Sequence, residues 1–531
     1  MSESVYGIDL GTTYSAIARI NDVDTAEIIQ NREGQQTTPS VVSFESENSV
    51  IVGAEAKRAA VMEPDNTCML IKRHMGTEYP QYFQGETYTP EAISSMILAT
   101  LVKDANEQLG QHVNKVVITV PAYFGAQERE ATQQAGKIAG LDVIGIVTEP
   151  VAAALSIGAG SNADETIMVY DLGGGTFDTT IMRIGSGKVE VLAVEGDREL
   201  GGADWDSALM DLVVEKFKAE SGIDEDPLLD EDFAIDLQLE VEELKKQLTQ
   251  REEAKHRLNY DGNRAQIVVT RDEFESATAH LVDRTIEVSK QCVEIAKQKD
   301  PNVTIDRVLL VGGSSRMPMI ANALKDKLSW DAQPTDFDLS VAKGAAIYGQ
   351  AAVNGVLLTG DQDPAEANTS EEAQRFLPGQ AASLDIKNVL SRSVGVELVR
   401  GPNHDEHYVN FFAHSNDSIP VTPEPLTAAT VVQNQNVVQL SIYEQAGERE
   451  SEVIEDNRLL KEAELKIPRN DLPQGSSLNI TFDISAEGLI TVHLVEPTTG
   501  ASLTLEAAVS VLDAEQVAAE TAKVSALTLK S

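Results

Sequence analysis

The chain of 531 residues is 42% hydrophobic and carries a formal charge of −43, from 42 basic and 85 acidic side chains. That balance excludes the basic footprint that nonspecific nucleic-acid binding needs, and acids spread along the whole chain read as a solubilising surface. Cys68 and Cys292 are too few for a disulfide framework, no apolar run approaches a membrane span, and Met1-Ser2-Glu3-Ser4 carries no apolar leader, so a cytoplasmic protein with no membrane contact is expected.

The first element is a strand running into Asp9-Leu10-Gly11-Thr12-Thr13-Tyr14-Ser15. The turn offers backbone N–H groups and hydroxyls to an anion. Residues 50–110 mix short strands and helices, and Lys72 lies there in an apolar context. It reads either as a compact charge reaching into a cleft or as a surface lysine. Residues 76–90 read as a short polar connection, after which Pro90 and Glu91 open an amphipathic helix. A β-branched strand at 115–120 ends in Pro121-Ala122-Tyr123-Phe124. A helix at 126–139 stops at Gly140, and a strand at 143–147 leads to Glu149 and an alanine-rich helix. Strand-helix alternation is the α/β pattern. Glu149 stands just past a strand end, where ligand crevices form, and equally where a helix cap would stand.

Asp171-Leu172-Gly173-Gly174-Gly175-Thr176-Phe177-Asp178 repeats the grammar of the first turn after the strand at 167–170. Glycines let backbone approach a ligand where a Cβ would clash. An acid beside a phosphate calls for a cation between them, which points to Mg²⁺-nucleotide. Two such hairpins imply two similar lobes, each offering a phosphate loop and a carboxylate to one cleft. Gly201 and Gly202 precede a helix and suit a close backbone contact. Glu242, Lys245, Lys246 and Thr249 share one helical face, read as either a solvated face or a cleft wall. Asp261-Gly262 marks a hairpin. A third glycine loop, Gly312-Gly313-Ser314-Ser315-Arg316, follows the strand at 307–311. A helix near 338–348 carries Ala342, Gly344, Ala345 and Ala346, suited to close packing.

Residues 360–382 read as a polar linker. Beyond it, residues 390–510 alternate apolar and polar with turns between, which predicts a separate antiparallel β domain. The last twenty residues predict one weakly amphipathic helix.

As a set, IDLGTTYS at 8–15, VPAYFGAQERE at 120–130, TEPVAAAL at 148–155, DLGGGTFD at 171–178, LGGADWD at 200–206 and VGGSSRMP at 311–318 resemble the 70-kDa heat-shock protein family of chaperones. NRLLKEAEL at 457–465 and TFDISAEGLITV at 481–492 extend the resemblance into the β domain. The resemblance implies a two-lobed, actin-like α/β ATPase domain at 1–358, with lobe I at about 1–160, lobe II at about 161–335 and a return helix to lobe I. A polar insert and linker at 359–392, an antiparallel β-sandwich peptide-binding domain at 393–510 and a helical remnant or tail at 511–531 would follow.

It implies slow ATP hydrolysis with ATP/ADP and Mg²⁺ as ligands. Asp9, Asp171 and Glu149 would surround the magnesium and its waters. Lys72 and Thr176 would act at the γ-phosphate. Gly11, Thr12, Thr13 and Tyr14 would cradle phosphates together with Gly173, Gly174 and Gly175. Gly201, Gly202, Glu242, Lys245, Lys246 and Thr249 would hold the nucleoside, with Gly312, Gly313, Ser314, Arg316 and Asp338. Pro121, Arg129 and Glu149 match a relay that reports nucleotide state. Val438 matches the central client pocket and Val399 and Val431 the arch over the peptide, with Val396, Leu398 and Leu440 beside them.

Several features depart from the family pattern, among them shorter segments at 76–90 and 259–270. Gly145 stands where an arginine usually engages J-domain cochaperones, and Lys246 replaces an adenine-stacking arginine. The linker, Ser383-Leu384-Asp385-Ile386-Lys387-Asn388, is mixed rather than apolar, and few residues remain for a helical lid. The expected function is an ATP-dependent chaperone that binds extended hydrophobic segments of unfolded proteins, with a J-domain protein and an exchange factor as partners. The alternative is a nucleotide-dependent scaffold with a dedicated partner and little turnover.

Overall fold

The computed structural model describes residues 4–530 apart from Val61, Thr369, Glu448, Glu487 and the stretches 159–163, 337–338, 360–361, 363–366, 378–380, 402–405, 469–471 and 508–511. Two lobes repeat one strand plan. In the first, a hairpin of Tyr6–Asp9 and Tyr14–Ile20 has Lys115–Val120 and then Asp142–Thr148 on its parallel side and Ala26–Ile29 on the other. In the second, the hairpin is Glu165–Leu172 with Phe177–Gly185. Arg307–Val311 and then Ala332–Pro334 flank it on the parallel side, and Lys188–Asp197 lies on the other. Each Asp-Leu-Gly turn therefore falls at the same place in its sheet. This is the two-lobed, actin-like α/β arrangement.

The central strands are runs of β-branched residues because both faces are covered: Val116, Val117, Ile118 and Val120 are all buried. The long helix Pro90–Leu109 starts where Thr89 accepts the Ala92 N–H at 3.2 Å and Pro90 presets the first turn. It stops at Gly110, which takes the left-handed conformation with φ of 63°. Residues 76–90, expected as a polar connection, instead hold a small hairpin, Gln81–Phe83 with Glu86–Tyr88. Its two apolar ends turn inward, where the Phe83 ring stacks on Phe44 at 4.4 Å between centroids and Tyr88 lies 4.7 Å away. Helix Ser340–Val353 returns to lobe I and packs against helix Glu149–Ser156. The approach is so close that a Cβ on Gly344 would overlap the Ala152 carbonyl.

The polar insert is not a free linker. Ala373, Phe376, Leu377 and Ala381 are buried in the core shared with helix Glu149–Ser156. The mixed stretch after it forms the strand Leu384–Val389, parallel to Lys188–Asp197 in the lobe II sheet, with Val189 opposite Ile386. Leu384 and Ile386 point inward while Lys387 is exposed. Its mixed composition is thus the alternation of a docked strand.

The β domain is a sandwich. One sheet runs Glu406–Ala413, Val394–Arg400, Val437–Gln445, Asn457–Lys466, and the other Leu426–Ala429, Ser477–Ile484, Ile490–Glu496, Ala501–Ala507. Neighbours pair antiparallel throughout. Stacked Phe412 and Phe482, 3.8 Å apart, join the layers.

The C-terminal segment departs from the expected simple helix. Helix Ala514–Ala526 lies on lobe I, and the strand Thr528–Lys530 then pairs parallel with Ser49–Val52, Leu529 opposite Val50. Leu512 and Val524 belong to the lobe I core, and Gln134 exchanges two hydrogen bonds with the Leu512 backbone at 2.9 and 3.1 Å. Among the described residues, no helix is long and apolar enough to cross a membrane.

Candidate functional site

A cavity of about 570 Å³ opens between the lobes, lined by both hairpin turns and the third glycine loop. The turns meet across it. A Cβ on Gly174 would overlap the Thr13 hydroxyl, and one on Gly175 would lie 2.5 Å from Thr12 Cγ2. Bare backbone on one side and short hydroxyl side chains on the other leave a narrow polar throat. Asp9, Gly11, Thr12, Thr13, Tyr14, Lys72, Glu149, Asp171, Gly173, Gly174 and Thr176 all line it.

At its base Lys72 Nζ stands 2.6 Å from Glu149 Oε1, both side chains buried. Lys72 reaches there from a short 3-10 turn, Ile71–His74, and its ammonium lies 5.9 Å from the Phe124 ring centre. Glu149 projects from the first position of its helix. The Thr119 hydroxyl donates to Asp9 Oδ1 at 3.1 Å and orients that carboxylate. Among the described residues no three carboxylate, His or Cys side chains converge closely enough to hold an ion by themselves. An acid set of this kind, spread around a polar throat, fits a hard cation held largely through water and phosphate oxygens.

The wall toward lobe II carries Gly202, Glu242, Lys245, Lys246, Thr249, Gly312, Gly313, Ser314 and Arg316. Lys245 is buried, and its ammonium donates to the Gly202 carbonyl and the Asp206 carboxylate, each at 2.9 Å. At the rim, Tyr14 OH donates to Glu242 Oε1 at 3.0 Å. Lys246 pairs with Glu242 at 3.0 Å, and Lys57 of lobe I pairs with its other oxygen. Burial alone would raise the Glu242 carboxyl, but the two lysines bring it down to about 2.

Four residues expected around the cofactor stand differently or fall outside. Gly175 and Gly201 do not line the cavity; they pack on each other, and a Cβ on Gly201 would overlap Gly175 backbone. Thr249 lines it, yet its hydroxyl donates back to the Lys245 carbonyl at 3.1 Å. Asp338 lies outside the described residues.

Reasoning from sequence missed Asp178, Asp206, Lys57 and Arg73. Asp178 closes the second hairpin opposite Asp171 and is fully enclosed. Burial pushes its carboxyl well above the usual range, the charges of Glu149 and Asp171 push it further, and Lys72 opposes them. Its place as the second acid of the glycine turn was the available signal. Asp206 stands inside the LGGADWD stretch. Arg73, next to Lys72, donates to the Gly175 carbonyl at 3.0 Å and pairs with Asp204 at 3.2 Å, clasping one lobe to the other. Lys57 carries no motif, and only the folded chain brings it to Glu242.

The residues matched to a relay lie beside the cleft and beyond it. Pro121 follows the strand Lys115–Val120, and Arg129 sits in helix Ala126–Ile138. Arg129 donates to the Phe124 carbonyl at 2.9 Å and to Ser391 Oγ at 3.4 Å, beyond the docked strand. A Cβ on Gly145 would come within 3.3 Å of the Tyr348 ring.

A family model described as Hsp70 protein matches residues 5–84 and 80–525. Chaperone protein DnaK from two strains of Halobacterium salinarum is 37% identical to the chain over 529 residues, which is 97% of this chain and 77% of each relative. The chain belongs to the Hsp70 family. It is an ATP-dependent chaperone with an ATP-hydrolysing, nucleotide-binding domain and a β-sandwich.

In the Hsp70 β domain the residues matched to a client site fall in three settings. Val396 and Leu440 are buried in the sandwich core, so as peptide-contacting positions they are corrected to core. Leu398 and Val438 pack partly buried against that core. Val399 lies near the end of its strand, paired with His407, and Val431 follows Leu426–Ala429, its N–H donating to Gln435 at 2.8 Å. Neighbouring Val432 and Val437 are exposed, 55% and 37%, and no pattern had singled out Val432.

Proposed function

We propose that the cleft binds Mg²⁺-ATP and that its hydrolysis sets the affinity of the β domain for extended apolar segments of unfolded proteins. The observation that carries this is the throat itself: two glycine turns in contact, with the buried Lys72–Glu149 pair beneath them. Magnesium, when bound, supplies charge neutralisation on the phosphate oxygens. Asp9, Asp171 and Glu149 would hold it through water. Lys72 is poised to orient the attacking water and meet the γ-phosphate, and Thr176 adds a hydroxyl donor there. Catalysis by fixed charge and position is what phosphoryl transfer requires.

The docked strand Leu384–Val389 and the Arg129–Ser391 contact support a route from cleft to client. Clients, a J-domain cochaperone and an exchange factor are the partners in this reading, and the cytoplasm its location. The J-domain contact would be made without the arginine that Gly145 replaces. Peptide affinity measured with ATP and with ADP, beside single-turnover hydrolysis by the intact protein and Lys72→Ala, tests the reading. Equal peptide affinity in both nucleotides sinks it. Nucleotide binding without turnover in the intact protein favours the scaffold instead.

A further inference from the structure

The β domain meets lobe I at the first turn of helix Ala126–Ile138, and the contact is built from buried charge. Glu444, on strand Val437–Gln445, lays its carboxylate over the helix start. Its Oε1 accepts the Ala126 N–H at 3.0 Å, and a Cβ on Gly125 would lie 2.5 Å from Oε2. Only a bare backbone at 125 admits it, and the helix N-terminus favours an acceptor there. One turn on, Glu128 Oε1 takes three arginines: Arg198 of lobe II at 2.6 Å, Arg458 of the β domain at 3.2 Å, and Arg392 at 3.4 Å. Arg458 is the cross-strand partner of Glu444.

Two acids from different domains thus share one buried pocket, 2% and 3% exposed. Each keeps one oxygen, Glu128 Oε2 and Glu444 Oε2, that is buried without a hydrogen-bond partner. An unpartnered carboxylate oxygen out of water is costly, and two like charges together cost more. Arg198, Arg458 and Arg392 all meet the other oxygen of Glu128, and Arg129, whose charge also faces Glu444 and Glu128, gives its hydrogen bonds to Phe124 and Ser391.

We propose that docking of the β domain onto lobe I takes up one proton, held on Glu444, so that the docked arrangement is a proton-linked latch. It deepens the nucleotide-coupled reading above and rests on it for its role in client control. Burial, then the charge of Glu128, pushes the Glu444 carboxyl up to about 7, with the Ala126 N–H, Arg458 and Arg198 opposing. The sign follows. The docked form binds the proton more tightly than the undocked form, whose exposed carboxyl is ordinary. Docking is therefore strongest at low pH and is lost as pH rises through the docked value.

The test measures the distance between spin labels at the exposed positions Met62 and Val432, after Met62→Cys and Val432→Cys, in the full chain from pH 6 to pH 9 with ATP and with ADP. Native Cys68 and Cys292 are buried and do not compete for label. The docking constant is expected to fall up to about tenfold per pH unit between the ordinary carboxylate value and the docked value, and to level off above it. Glu444→Gln keeps the shape of the protonated acid and should remain docked at pH 8 with a flat profile. Gly125→Ala, which fills the space of the carboxylate, should undock at every pH while the thermal transition of lobe I stays in place. A wild-type docked fraction unchanged from pH 6 to pH 9, or a Glu444→Gln profile as steep as wild type, overturns the latch. Identical distances in ATP and ADP at every pH overturn nucleotide control and leave the pH result to decide the latch.

Discussion

Lys72 and Glu149 form a buried ion pair across the base of the cleft, 2.6 Å apart, although they come from different elements 77 positions apart in the chain. Removing one member of such a pair strands the other without a partner. Lys72→Ala is expected to reduce single-turnover hydrolysis by about 10²–10³-fold, the scale of losing one preorganised charge at a transition state. It should also lower unfolding stability by about 3–5 kcal/mol without nucleotide. Rapid-quench hydrolysis and denaturant unfolding of the same preparation separate the two effects.

The rim network joins the lobes through Lys57, Glu242 and Tyr14. Lys57→Ala should speed nucleotide release about tenfold, since one cross-cleft tie of roughly 1.4 kcal/mol is removed. Stopped-flow release of a fluorescent nucleotide checks this. Because the Glu242 carboxyl sits at about 2, below its ordinary value, the tie is complete above the ordinary carboxylate range. It is lost only as pH falls toward 2, so release by the wild type should not change between pH 6 and 8 through this group.

The C-terminal strand is held by the Thr528 N–H donating to the Asn48 carbonyl at 2.8 Å and by Lys530 pairing with Glu45 at 2.7 Å. Thr528→Pro removes that donor and should detach the strand while helix Ala514–Ala526 persists. Val524→Ala hollows the lobe I core and should cost about 2 kcal/mol. Hydrogen exchange at 49–51 reports the first change, and thermal unfolding the second.

Gly344→Ala should be among the most damaging single-methyl changes in the chain. The added carbon meets the Ala152 carbonyl, and backbone cannot swing aside as a side chain can. A loss of about 3 kcal/mol is expected from overpacking at this helix crossing. Calorimetry checks it, with Gly34→Ala, where nothing lies nearby but φ is 75°, as the milder comparison.

Much of the nucleotide cleft was legible because its chemistry demands local patterns. A strand, an acid and a glycine turn must be contiguous to put backbone against phosphate, and the pattern occurs twice, at Asp9 and at Asp171. The small residues of helix Ser340–Val353 likewise announced a close crossing. Gly175 and Gly201 misled because a glycine that admits another backbone looks the same in sequence as one that admits a ligand. Val396 and Leu440 misled because period-two alternation marks an inward face without saying whether that face meets core or client.

By itself, the sequence determined the two lobes, their glycine turns, the acids and lysine beside them, and an antiparallel β domain after them. Those features are short-range, set by spacing of two or three and a half residues and by turn chemistry. Only the tertiary structure decided that the mixed stretch at 384–389 docks as a strand, that the last residues strap onto lobe I, and that Glu444 and Glu128 share one buried pocket. Each of these joins surfaces far apart in the chain. Whether a half-apolar strand or an exposed-looking acid finds a partner depends on the free energy of burying both together, which no single stretch of sequence contains.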